Sequence, residues 1–127
     1  VIGVEPEQAD DAKRSLETGV LQVVRNPPTI ADGTRTPFMG RYTLPIALER
    51  VDGIMTVSEQ EIARATMLCF ETLRLVVEPS GALGIAGLIK AAARGEAPGE
   101  RVGVIISGGN IDLDRLPEIR AIAEGKE

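Results

Sequence analysis

The chain contains no histidine. The side chain that most often serves as general base or metal ligand near neutral pH is therefore missing. Any acid–base or metal chemistry must fall to carboxylates, hydroxyls, lysines or the backbone. Lysine is scarce too, with only Lys13, Lys90 and Lys126. Tryptophan is absent and aromatics make up 2% of the chain, so the core has to come from Val, Ile, Leu and Ala. A single cysteine, Cys69, excludes an internal disulfide and points to a reducing compartment, with the cytoplasm as the expected location. No apolar run approaches the roughly 20 residues that cross a bilayer, and no secretory signal is visible, so a membrane partner is not expected. The net charge is -5 with no long basic run, which argues against nucleic acid.

What remains is ordinary for a globular domain: 127 residues, 43% hydrophobic and 26% charged. That length suits one domain with a real core, and no internal repeat or second domain is evident. The chain opens at Val1, without Met and inside a strand-like run. A piece of a longer protein, or a chain trimmed by cleavage, is the expectation.

The most informative stretch is Val102-Gly103-Val104-Ile105-Ile106-Ser107-Gly108-Gly109-Asn110. Its β-branched run predicts a strand buried on both faces, as in a parallel sheet. The strand stops at Ser-Gly-Gly-Asn, where paired glycines let the backbone turn and approach a bound group. Asp112 stands where it can cap the helix suggested by Leu113, Leu116, Ile119 and Ile122. Ligands of open α/β sheets bind beyond the carboxyl ends of strands, so this turn is either a plain tight turn or a ligand site.

The rest of the chain alternates in the same way. Val1–Val4 reads as a strand closed by Glu5-Pro6. The acidic run Glu5–Asp11 either caps the next helix or holds a hard cation through oxygens. That helix spans about Ala9–Thr18 and ends at Gly19. Residues 20–42 show no clean period and form a long loop, and a short helix follows over Leu44–Val51. Gly53–Val57 is the next strand. Ser58 and Glu61 make a capping box for a helix whose apolar stripe includes Ile62, Ala65 and Cys69. Cys69 reads as a small core hydrophobe. Leu75–Val77 is a short strand before Glu78-Pro79, and the following helix carries Gly81, Gly84 and Gly87 at every third position. A helix interior tolerates such glycines at about 1 kcal/mol each, which implies close packing against a neighbouring backbone or a cofactor. The whole order predicts an α/β domain: a partial open parallel sheet with flanking helices.

Five segments together resemble one family: E-P-x-x-A-D-D at 5–11, I-A-D-G at 30–33, V-D-G-I-x-T-V-S-E-x-E-I at 51–62, V-V-E-P-S-G-A at 76–82 and S-G-G-N-x-D-L at 107–113. They look like the C-terminal half of the fold-type II, pyridoxal-phosphate-dependent serine/threonine dehydratases. That group includes serine racemase and the threo-3-hydroxyaspartate ammonia-lyases. The resemblance covers essentially residues 1–127, and implies that they form the C-terminal part of the large, cofactor-binding domain. It implies that Ser107 offers its hydroxyl to the pyridine nitrogen and that Gly108, Gly109 and Asn110 form the turn beside the ring. Gly33, flanked by Ala31 and Asp32, packs on a ring face, and Glu78 lies near the ring edge. Glu5, Asp11 and the carbonyl of Ala9 match a divalent-cation site for Mg²⁺, Mn²⁺ or Ca²⁺.

The resemblance also places the Schiff-base lysine, the substrate-carboxylate loop and the phosphate loop in an N-terminal half upstream of Val1. Lys13, Lys90 and Lys126 read as solvated surface charges. No catalytic residue is therefore expected in this chain, and residues 1–127 alone are expected to be inactive. The missing N-terminal half is the expected partner, and a homodimer is usual in the family. The implied reaction takes a β-hydroxy amino acid (serine, threonine or 3-hydroxyaspartate) to an α-keto acid and ammonia. The alternatives are a serine racemase-type parent enzyme and a free-standing, non-catalytic α/β ligand-binding module.

Overall fold

The computed structural model describes residues 1–97 and 99–126. Strand β1, Ile2–Pro6, pairs in parallel with strand β2, Gly53–Val57, in a register that sets Ile2 opposite Gly53 and Pro6 opposite Val57. Pro6 lacks an N–H, and the Glu7 N–H donates to the Val57 carbonyl at 2.9 Å, carrying the ladder one residue past it.

Helix α1, Asp11–Thr18, ends at Gly19 in the left-handed conformation, φ 69°, as the sequence predicts. Helix α2 is Thr43–Arg50. Helix α3, Glu59–Leu68, begins with the expected capping box. The Glu61 N–H donates to Ser58 Oγ at 3.2 Å, and the Ser58 N–H donates to Glu61 Oε2 at 2.7 Å. Helix α4, Leu83–Ala93, follows a tight 3₁₀ turn over Pro79–Ala82. Helix α5, Leu116–Glu124, follows a similar turn over Leu113–Arg115, whose start is held by Asp112 accepting the Asp114 N–H at 3.0 Å.

The core lies where α3 packs on α5 and where α4 covers the two strands. Ile62, Ala65 and Cys69 of the α3 stripe are buried together with Val57, Ala82 and Ile119. Cys69 is inside, as its place on that stripe predicts, and burial pushes its thiol up, away from the reactive thiolate. No helix among the described residues is long and apolar enough to cross a membrane.

Two expected strands are not ladder-paired. Leu75–Val77 and Val102–Ile106 carry no sheet assignment, and β1 and β2 are the only paired strands among the described residues. The prediction of burial on both faces also fails, since Ile105 is 85% exposed and Val102, Ile106, Leu75 and Val76 are exposed as well. β-branched composition favours an extended backbone, but a ladder also needs a neighbouring strand edge. Among the described residues only one backbone bond near these runs joins them, from the Glu78 N–H to the Gly108 carbonyl at 3.3 Å.

The glycine stripe, with Gly81 in the 3₁₀ turn and Gly84 and Gly87 on α4, does what its spacing implies. A Cβ on Gly81 would stand 1.6 Å from the Ser107 carbonyl oxygen. One on Gly84 would meet Val104 Cγ1 at 2.9 Å, and one on Gly87 would meet Val4 Cγ2 at 2.6 Å. The bare face of the helix is thus what the Val104–Ser107 backbone and β1 lie against.

Candidate functional site

Three segments far apart in sequence meet at one end of the molecule: the turn at Ser107–Asn110, the turn at Ala31–Thr34, and Glu78–Ala82. Glu78 grips the first. Its N–H donates to the Gly108 carbonyl, and its Oε2 accepts the Asn110 N–H at 3.1 Å. Gly108 has φ 76°, a conformation that a side chain disfavours, and a Cβ there would run into the Glu78 carboxylate. Ser107, Gly108, Gly109 and Asn110 are all exposed, so the turn presents its hydroxyl and bare backbone to solvent.

The second segment is pinned from below. Ala31 is fully buried, and the Ile30 N–H donates to Glu59 Oε2 at 2.7 Å. The Arg35 guanidinium donates to the Thr29 carbonyl at 3.1 and 2.5 Å. Asp32 and Gly33 above Ala31 are exposed. The Gly33 N–H donates to Ser80 Oγ at 2.8 Å, which ties this turn to the Glu78–Ala82 segment. Arg115 reaches toward Asp32 at 3.8 Å and Glu118 at 3.5 Å.

Between these segments lies an open cleft of about 320 Å³, lined by Asp32, Glu78, Asn110, Asp112 and Arg115 among others. Small-molecule sites begin at roughly this volume. A second hollow of about 260 Å³ lies between α3 and α5, lined by Arg64, Glu71 and Arg120 among others, and holds none of the sequence-predicted site residues. The structure therefore brings Gly33, Glu78, Gly108, Gly109, Asn110 and Ser107 into one neighbourhood.

Glu5, Ala9 and Asp11 form a separate group at the start of α1. Glu5 accepts the Ala12 and Lys13 N–H groups at 3.3 and 2.8 Å, so it caps the helix in the way the acidic run allowed. Burial, with the neighbouring charge of Asp11, pushes Glu5 up to about 7, against the lowering effect of those N–H groups. Burial likewise raises Asp11, which is almost fully enclosed. Ala9 is buried beside them. Among the described residues no cluster of three or more Asp, Glu, His or Cys side chains could hold a metal, so a cation here would rely on two carboxylates, a carbonyl and water.

The lysines divide. Lys126 is exposed and Lys13 is partly exposed beside Glu17. Lys90 corrects the expectation of a solvated charge. Its side chain is 11% exposed, and Nζ donates to Glu61 Oε2 at 2.9 Å, the Thr56 carbonyl at 2.9 Å and Glu7 Oε1 at 3.2 Å. The sequence shows a cation near a helix end. It does not show that α4 lays that end across the carboxyl ends of both strands. Ser80 was missed as well; its only signal is its place inside the E-P-S-G turn.

A sequence model described as pyridoxal-phosphate dependent enzyme matches residues 1–108. The chain is 41% identical over its full length to 37% of the L-threo-3-hydroxyaspartate ammonia-lyase of Saccharomyces cerevisiae. It is 40% identical, over 91% of its length, to 35% of the serine racemase of Schizosaccharomyces pombe. Its fold matches the processed form of threonine deaminase isoform 2 from Solanum lycopersicum with a TM-score of 0.89 and 32% identity, over 97% of this chain and 34% of that one. The chain thus spans little more than a third of the length of the relatives it matches.

Proposed function

The chain belongs to the pyridoxal-phosphate-dependent enzyme family, and from that premise we propose that it supplies one wall of the active site of an ammonia-lyase. Residues 1–127 act as the C-terminal segment of the cofactor-binding domain in a longer enzyme. Its substrate is a β-hydroxy amino acid (serine, threonine or 3-hydroxyaspartate), which loses water and then ammonia to leave an α-keto acid. The observation that carries the reading is that one segment, Glu78–Ala82, ties the exposed Gly33 turn and the exposed Ser107–Asn110 turn together beside an open cleft that Asp32, Glu78 and Asn110 help to line. A side chain at Gly33 or Gly108 would crowd Ser80 or Glu78, so both turns keep bare backbone beside the cleft.

Pyridoxal phosphate, when bound, supplies an electron sink for the substrate's α-carbon. The residues of this chain set the conditions around it. Ser107 offers a hydroxyl to the pyridine nitrogen. A hydroxyl is neutral, so Ser107 would leave that nitrogen largely unprotonated, which would favour loss of a β-hydroxyl over reactions that need a stronger sink. Gly33 would pack on a face of the cofactor ring, Gly108, Gly109 and Asn110 would border it, and Glu78, which grips the turn, would lie near its edge. The lysine that holds the cofactor and moves the α-proton belongs to the upstream part. Lys90 is an unsuitable substitute, since three acceptors already occupy its ammonium group.

A divalent cation (Mg²⁺, Mn²⁺ or Ca²⁺) at Glu5, Asp11 and the Ala9 carbonyl is part of the same proposal. Two carboxylates held up by burial support it, since a cation would offset the energetic penalty of ionising them there. Its role is structural. The family resemblance adds a homodimeric assembly, and the single buried cysteine agrees with a cytoplasmic location.

The test is the full-length protein that carries this segment, purified and scanned for the visible absorbance of bound cofactor. It should release α-keto acid from at least one of L-serine, L-threonine and L-threo-3-hydroxyaspartate, while residues 1–127 alone release none. Ser107→Ala should lower turnover about tenfold and shift the absorbance band, as expected for one lost hydrogen bond to the ring. A protein that racemises serine without forming keto acid would overturn the lyase reading in favour of a racemase. Unchanged turnover and spectrum in Ser107→Ala would overturn the role of Ser107.

A further inference from the structure

Ser80 belongs to none of the roles assigned above, yet it is the link between two of the three segments at the cleft. Its Oγ accepts the Gly33 N–H at 2.8 Å, a bond that spans 47 residues of chain. Its Oγ and Cβ are also the first atoms that a Cβ on Gly33 would strike, at 2.9 and 3.1 Å. Two residues earlier, Glu78 grips the opposite turn through the Gly108 carbonyl and the Asn110 N–H. The spacing between the two grips is rigid. Pro79 is buried with its φ fixed by the ring, and the Gly81 and Ala82 N–H groups both return to the Glu78 carbonyl, at 2.9 and 3.1 Å. One short closed turn thus holds a loop on either side.

We propose that Ser80 is a positioning residue for the cofactor: it fixes the height and tilt of the Gly33 turn relative to the Ser107–Asn110 turn. The inference rests on the reading above, in which the ring packs on Gly33. Gly33 is exposed in the chain as it stands, so water competes for its N–H and the bond contributes little to stability. A ring lying over Gly33 excludes that water. The same N–H then depends on Ser80 alone, and losing its acceptor leaves a buried donor unsatisfied. The effect of Ser80 is therefore concentrated in the cofactor-loaded state. That separates it from a residue that merely supports the fold.

The experiment compares wild type, Ser80→Ala and Ser80→Thr in the full-length protein. Two quantities are read: pyridoxal phosphate affinity by absorbance titration, and thermal unfolding of the cofactor-free protein. Ser80→Ala should weaken cofactor binding about tenfold, with cofactor-free unfolding unchanged. Ser80→Thr keeps the hydroxyl and should restore affinity. The proposal is overturned if Ser80→Ala binds like wild type, if affinity falls only together with cofactor-free stability, or if Ser80→Thr does not recover it. Failure of wild type itself to bind pyridoxal phosphate is a different result: it removes the reading of the cleft on which the proposal rests.

Discussion

The carbonyl oxygen of Ser107 occupies the space in which residue 81 would carry a side chain, 1.6 Å from an ideal Cβ on Gly81. The contact is backbone against backbone, so no rotamer change can relieve it. The seat of the candidate pyridine-binding residue is therefore set by the absence of a methyl group in the 3₁₀ turn before α4.

Gly81→Ala should consequently force the two segments apart. The expected loss is about 1–3 kcal/mol or more, read by urea unfolding of the full-length protein, together with weaker cofactor binding. Gly84→Ala is the graded comparison. Its nearest clashes are Val104 Cγ1 at 2.9 Å and the Ile105 carbonyl at 3.1 Å, so it should lose less. Equal stability of Gly81→Ala and wild type would mean that Ser107 does not sit against the Pro79–Ala82 turn in solution.

The acidic run gives a pH prediction whose direction follows from burial. Glu5 is raised from 4.5 to about 7 and Asp11 is raised as well, so the folded protein holds these protons more tightly than the unfolded chain does. Without a cation, this contribution to stability falls as pH rises from about 4.5 through about 7. On the cation proposal a divalent ion would bind the ionised pair, so Mg²⁺ or Mn²⁺ should raise the unfolding temperature more at about pH 8 than at about pH 5.5. Glu5→Gln should flatten the pH slope, leaving only the share from Asp11, and abolish the metal effect. A wild-type unfolding temperature indifferent to both cations at every pH would eliminate the cation proposal and leave Glu5 as a helix cap.

Lys90→Met should destabilise the fold by about 1–3 kcal/mol, because it strips an enclosed ammonium from two carboxylates and a carbonyl. Burial pushes Glu61 up, but the Ser58 N–H and Lys90 outweigh it and hold the carboxyl below its ordinary value. The stability Glu61 contributes is present above about pH 4.5 and is lost as pH falls through its depressed folded value. The difference between wild type and Lys90→Met should accordingly be largest near neutral pH and shrink in acid. A small difference that does not vary with pH would show that the ammonium is unpaired in solution.

These cases mark where reading the sequence succeeds. Ser58 and Glu61, Gly19, and the run Gly53–Val57 are local signals, and each forms the element it predicts within a residue or two. The stripe Gly81, Gly84, Gly87 predicts a close approach, although not that Ser107 is what approaches. Val102–Ile106 shows the limit. Its residues specify an extended backbone, but pairing depends on an edge contributed from elsewhere, which no local pattern can report. Lys90 and Ser80 fail to stand out for the same reason, since their partners lie 29 to 83 residues away in one case and 47 in the other. The candidate site was legible as motifs. The ties that hold those motifs together were not.

The unpaired run Val102–Ser107 has a consequence beyond the site. It is short, uncharged, free of proline and rich in β-branched residues, and Ile105 projects into solvent. Such a segment can recruit copies of itself edge to edge into cross-β assemblies. An element that paired with this run would therefore remove an aggregation-prone edge as well as shield Ile105. Solubility then depends on whether one short run finds a pairing edge, as well as on the stability of the fold.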